Sequence, residues 1–142
     1  MFSAKHRLND FYGKTEKIRV GLWGENIAVK HLKYFGYKIL KRNYRKKFDE
    51  IDIIGRSKEG CLIFFEVKTL LVIKFDKEKR LKPEDNFTKE KFRKIKRISE
   101  MFSAKHQKMI YWEKGWRIDL IAIEILIDRG SILIRHYKNV SR

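Results

Sequence analysis

The chain has 142 residues, of which 43% are hydrophobic, enough for one domain that buries roughly two-thirds of its unfolded surface without staples. No apolar run approaches the roughly 20 residues of a membrane helix, and a single cysteine, Cys61, excludes an intramolecular disulfide or a Cys-rich zinc site. Thirty-five Lys and Arg against 18 Asp and Glu give a formal charge of +17, an excess that draws polyanions by counterion release, so nucleic acid is expected as partner rather than a membrane, and the cytoplasm as location.

Residues 1–19 carry basic and aromatic side chains without a clear period or the apolar core of a signal peptide. They read as a basic N-terminal arm ahead of a single domain over residues 20–142. The hexapeptide Met1–His6 recurs at Met101–His106, too short a match for a structural repeat. From Val20 to Phe35, Val20, Trp23, Gly24, Ile27, Ala28, Leu32 and Phe35 recur at three- and four-residue spacings, the pattern of a helix packed on a core, with Gly36 as its stop. Gly21 and Gly24 weaken that helix, so close approach of its backbone to a sheet is expected. Glu25 lies at the edge of the stripe, either as a solvated helix glutamate or as an acid reaching over the sheet.

Tyr37 to Arg45 has strand character and runs into Lys41-Arg42-Asn43-Tyr44-Arg45-Lys46-Lys47. Arg42, Arg45, Lys46 and Lys47 suit phosphates, and Tyr44 among them suits stacking on a base. The same charges would also protect a solvated edge strand.

Glu50-Ile51-Asp52-Ile53-Ile54 alternates acid and aliphatic, so pleating is expected to put Glu50 and Asp52 on one face and Ile51 and Ile53 on the other. After the polar turn Gly55 to Gly60, Cys61 to Lys68 is rich in strand formers and puts Leu62, Phe64, Glu66 and Lys68 on a common face. Cys61 itself reads as a small buried hydrophobe. Carboxylates entering mostly buried strands need a partner. Either Lys68 and other lysines form structural ion pairs with them, or acids from the two strands chelate Mg²⁺ or Mn²⁺, hard cations that take oxygen ligands, with Lys68 facing the nucleophile or phosphate.

Lys74 to Asn86 is charged and contains little that packs, so a mobile loop is expected beside the site. Thr88 is placed to cap the next helix, whose apolar face is Phe92, Ile95, Ser99 and Phe102 and whose cationic face is Arg93, Lys94, Lys96 and Arg97. Lys91 falls on the side of Ile95, Ile98 and Phe102, where a lysine can snorkel. Tyr111 to Trp116 forms an aromatic turn in which Trp112 and Trp116 suit either base stacking or closure of a core end. Arg117 to Ile127 and Ser131 to Tyr137, joined by Asp128-Arg129-Gly130, predict a hairpin. His31, His106 and His136 show no convergent metal spacing and receive no role. Helix, strand, strand, strand, helix, strand, strand is the order of an α/β domain with a mixed central β-sheet flanked by α-helices.

An Asp on one strand followed after a hairpin by Glu66-Val67-Lys68 resembles the PD-(D/E)xK nuclease superfamily. Gly24-Glu25-Asn26-Ile27-Ala28, Gly36 to Leu40, Arg42-Asn43, Glu50 to Ile54, Glu66 to Thr69, Arg117-Ile118-Asp119 and His136 to Asn139 fall in the order seen in the YraN-type family of predicted bacterial endonucleases. The likeness spans roughly residues 20 to 140. There is no literal Pro-Asp; Asp49 stands where that family usually has glycine, and Leu70 where an arginine commonly follows.

The resemblance implies a restriction-endonuclease-like core and a metal-dependent endonuclease hydrolysing phosphodiester bonds in DNA rather than RNA, including branched or structured DNA of the kind Holliday-junction resolvases cut. It implies Glu25, Asp52 and Glu66 as metal ligands for Mg²⁺ or Mn²⁺, and Glu25, Asp52, Glu66 and Lys68 as the catalytic set. Glu50 is then an outer acid and Lys91 a phosphate contact, with Arg42, Tyr44, Arg45, Lys46, Lys47 and Lys94 on nucleic acid. A homodimer would supply the two sites that cutting both strands requires. Two other classes fit the same residues: a nucleic-acid-binding module with this fold that no longer cuts, and an interaction protein whose acids form structural ion pairs.

Overall fold

The computed structural model describes residues 14–78 and 81–140. Helix α1 spans Lys14–Tyr34, followed by strands β1 (Lys38–Lys46), β2 (Asp49–Arg56) and β3 (Leu62–Val72). A 3-10 turn at Pro83–Asn86 leads into α2 (Lys89–Lys105), and β4 (Trp116–Leu126) and β5 (Ser131–Tyr137) complete the chain. The five strands form one mixed sheet in the order β1-β2-β3-β4-β5. Only β3 and β4 run parallel, because the crossover between them, which includes α2, is long enough to return the chain to the same end. The expected α/β architecture is therefore present, with the two helices on opposite faces.

Alternation along β3 and β4 divides the core in two. Phe64, Leu62, Ile118 and Leu120 meet Phe92, Ile95, Ile98 and Phe102 of α2, whereas Ile63, Phe65, Ile121 and Ile123 meet Ala28, Val29 and Leu32 of α1. Both faces of the central strands are thus buried. Cys61 lies in the α1 layer as a free, buried thiol.

Helix α1 begins at Lys14, six residues before the apolar stripe, so residues 14–19 belong to it; residues 1–13, with the first copy of the hexapeptide, lie outside the described residues. The second copy, Met101–His106, closes α2. The α1 stripe is buried only in its middle: Trp23 and Phe35 remain 44% and 55% exposed. Gly36 takes φ +89° as the helix stop, with its N–H on the Lys33 carbonyl and the Tyr37 N–H on that of Leu32. Gly24 is the close approach expected of it, since a Cβ there would lie 1.7 Å from Thr69 Oγ1. Gly21 is not: a Cβ there would meet nothing within 4 Å.

The segment expected to be a mobile loop is pinned over its second half. Pro83 and Phe87 are buried, and Glu84 receives Arg135 Nε and NH2, each at 2.6 Å, and the Tyr137 hydroxyl at 2.5 Å. Arg135 also lies 2.7 Å from the fully buried Glu124. These partners come from β4 and β5, too distant in sequence for the local pattern to reveal. Thr88 then caps α2 as expected, accepting from the Lys91 N–H at 3.2 Å.

Candidate active site where β2 and β3 part

Strands β2 and β3 pair only from Ile53↔Phe65 to Arg56↔Leu62, while β3 stays paired with β4 through Val72. Beyond Phe65 the two strands separate, and Asp52 turns into the gap to accept the Val67 N–H at 2.8 Å. This corrects the simple alternation expected for β2: Ile51 packs in the α2 layer with Ile54, and Ile53 in the α1 layer. The pleat lapses at Asp52 because its neighbour across β1 is Asn43, bracketed by Arg42↔Ile53 and Tyr44↔Ile51, in a left-handed conformation at φ 53° that asparagine tolerates.

The gap collects side chains from both layers. Glu66 and Lys68 stand on the α2 side and pair at 2.9 Å, with side chains 12% and 18% exposed. Glu25 comes from α1 and is buried. With its amide nitrogen facing the acids, Asn43 donates to Glu25 Oε1 at 2.7 Å and Glu50 Oε1 at 3.2 Å. Asn43 belongs to the Arg42-Asn43 pair of the family resemblance but received no role from the sequence; an asparagine inside a basic strand, where β propensity disfavours it, was the signal. Lys91 projects from the first turn of α2 to the Lys68 ammonium.

Electrostatics follow from this crowding. The Asp52 carboxyl is pushed up to about 8, first by burial and then by Glu66, with smaller contributions from Glu25 and Glu50, against the Val67 N–H. Glu25 is raised by burial and by Glu50 and Glu66, against Arg42. Burial disfavours the Lys68 ammonium, but Glu66 beside it carries the pKa above the ordinary lysine value. Lys91 is lowered, first by burial and then by Lys68.

Glu25, Asp52 and Glu66 are an all-oxygen, strongly anionic donor set, and Asp52 is raised by burial and by its neighbouring carboxylates. By chemistry the set fits a hard divalent cation. Among the described residues no three His, Cys, Asp or Glu side chains form a ready-made cage; the carboxylates are turned instead onto the Val67 N–H, Lys68 and Asn43.

The outer residues divide. Lys46 and Lys47 are exposed at the β1–β2 turn; Arg45 lies 3.5 Å from Glu50, Arg42 donates to Asn26 Oδ1 at 2.8 Å, and Lys94 pairs with Glu90 at 3.7 Å. Tyr44 is half-buried, edge-on to Phe102 with centroids 5.0 Å apart, and packs on the α2 core. Asp49 holds Arg97 at 2.6 Å, tying the β1–β2 turn to α2. Trp116 closes the core end on Phe64, and Trp112 is 90% exposed.

A second polar cluster lies on the α1 side of β4. Asp119, fully buried, accepts from Arg117 Nε at 2.9 Å and the Asn139 N–H at 2.8 Å, and bonds His136 Nε2 at 2.7 Å. Burial would raise its pKa, but these partners hold it below the usual carboxylate range. Convergence of Arg117, Asp119 and His136 depends on β4–β5 register, Ile121 facing His136, which residue spacing does not give.

A mixed five-stranded sheet between two helices, with two strands parting around acids and a lysine, defines a restriction-endonuclease-like core. Residues 24–123 match the Uncharacterised protein family UPF0102, the YraN family, and the chain belongs to that family. A UPF0102 protein of Caldicellulosiruptor saccharolyticus is 44% identical over 124 residues, covering 87% of this chain and 97% of the relative. Those of Dictyoglomus turgidum and Syntrophomonas wolfei are 36% and 31% identical, over 83% and 84% of this chain and 92% and 95% of their own. Among the described residues, no helix is long and apolar enough to cross a membrane.

Proposed function

We propose that this protein is a metal-dependent endonuclease that hydrolyses phosphodiester bonds in nucleic acid, DNA before RNA. The observation that carries the reading is the gathering of Glu25, Asp52 and Glu66 with Lys68 in the gap between β2 and β3. Glu25, Asp52 and Glu66 would hold Mg²⁺ or Mn²⁺. A bound divalent ion supplies an acidified water and charge stabilisation at the phosphoryl oxygens. Asp52 is fixed for this by the Val67 N–H, and Glu25 by Asn43. Lys68, kept charged beside Glu66, orients the attacking water or the scissile phosphate, and Lys91 adds a second cation from α2. The charge of +17 favours a polyanionic substrate, and family membership is compatible with branched or structured DNA.

The pairing of Glu66 with Lys68 at 2.9 Å favours one other reading: a nucleic-acid-binding module whose site no longer cuts. Labelled single-stranded, duplex, flap and four-way-junction DNA, incubated with Mg²⁺ or Mn²⁺ or with chelator, separates them. In the nuclease case wild type cuts, chelator stops it, and Asp52→Ala abolishes cutting while still binding DNA. Equal cutting by Asp52→Ala, or salt-sensitive binding without any cutting, would sink the catalytic reading.

A further inference from the structure

Phe48 has no neighbour shielding it: the side chain is fully exposed, at 101%, in the turn between β1 and β2. The turn beneath it is nonetheless fixed. Lys47 takes the left-handed φ of 55°, and Asp49 Oδ2 accepts from Arg97 Nε at 3.2 Å and NH2 at 2.6 Å, a charged anchor onto α2. Beside Phe48 lies an open recess of about 600 Å³ lined by Lys46, Lys47, Asp49, Arg97, Ile98 and Met101. Met101 is 52% exposed while Ile98 is buried, so an apolar floor is rimmed by Lys46, Lys47 and the Asp49–Arg97 ion pair, with a net positive charge. An occupant that complements both must be apolar on one face and anionic at its edges.

We infer that Phe48 and this recess hold an unpaired nucleobase, with Lys46 and Lys47 facing its flanking phosphates. The inference rests on the nucleic-acid reading above and adds to it that the substrate carries unpaired nucleotides near the bond to be cut. Phe48 is four residues from Asp52 along the chain, about 13 Å at ~3.3 Å per strand residue, or about four base steps at ~3.4 Å. A base paired in a duplex presents no free face to an aromatic ring, whereas an unpaired one does, and stacking it is worth roughly 1–3 kcal/mol. That range corresponds to a preference of roughly 5- to 150-fold. The sequence pattern points to Tyr44 for this task; the fold half-buries Tyr44 edge-on to Phe102 and leaves Phe48 outside.

The test is binding without catalysis, in chelator, by the full chain. A duplex with a short unpaired gap carrying 2-aminopurine is compared with the fully paired duplex, using wild type, Phe48→Ala and Phe48→Trp. Wild type should prefer the gapped DNA at least fivefold and quench the probe. Phe48→Ala should lose that preference while its affinity for paired duplex stays within twofold, and Phe48→Trp should keep it. An unchanged preference in Phe48→Ala overturns the inference. So does a dimer in wild type that Phe48→Ala dissociates, which would make the patch a contact between copies, or Phe48-dependent binding to phosphatidylserine vesicles with no gap preference. Absence of binding to either DNA refutes the nucleic-acid reading itself, and the inference with it.

Discussion

Glu84→Gln tests whether the clamp beneath α2 holds the site's second lysine in place. In the folded chain burial alone would raise the Glu84 carboxyl, but hydrogen bonds from Arg135 and Tyr137 bring it to about 2, against 4.5 for the free side chain. At about 1.4 kcal/mol for each factor of ten, that difference is a ceiling of about 3 kcal/mol. Screening by water at this partly exposed position roughly halves it, to about 1.5 kcal/mol, which is about 5 °C in Tm for a domain of this size. The folded value lies below the unfolded one, so the stabilisation is complete above about pH 5 and is lost as pH falls from about 4.5 toward 2. Thermal melts of wild type and Glu84→Gln should therefore differ by a constant amount from about pH 8 to pH 5.5 and converge toward pH 3. Because Glu84 lies in the 3-10 turn that ends two residues before the Thr88 cap of α2, and Lys91 sits in the first turn of that helix, the variant should also weaken nucleic-acid cleavage more than binding. A deficit under about 1 °C at pH 7, or one that does not shrink toward pH 3, would refute the reasoning.

Two further outcomes follow from packing. Gly24→Ala should destabilise by roughly 1–3 kcal/mol in urea unfolding, because its methyl would collide with Thr69, whereas Gly21→Ala, with open space around it, should stabilise by about 0.5–1 kcal/mol through helix propensity. His136→Ala strips one partner from the buried Asp119 and should cost about 1–3 kcal/mol at pH 7, while Lys138→Ala, exposed beside it, should stay within about 0.5 kcal/mol by the same denaturation.

How much was legible in advance differs between kinds of residue. The strand pair around Asp52 and Glu66, the hairpin of β4 and β5, the Gly36 stop and the Thr88 cap are local events, governed by residues within a few positions, and the chain states them directly. Period-two patterning put Glu66 and Lys68 on one face correctly because β3 is regular and paired with β4 along its whole length. It failed for Ile51 because the pleat of β2 lapses at Asp52, where the strand faces the left-handed Asn43 of β1 and has parted from β3, facts about other strands.

The sequence by itself determined the class of the protein: a basic α/β domain whose acids enter buried strands. Tertiary structure decided the rest. Which aromatic faces solvent depended on where α2 lands, since Phe102 covers Tyr44 and nothing covers Phe48. Whether the segment after β3 is free depended on Arg135 and Tyr137, some 50 residues downstream. The Asp52 environment, too, is made by three carboxylates, Glu25, Glu50 and Glu66, from three elements. Charge repulsion and burial act through space, so they arise only when the chain has brought those groups together.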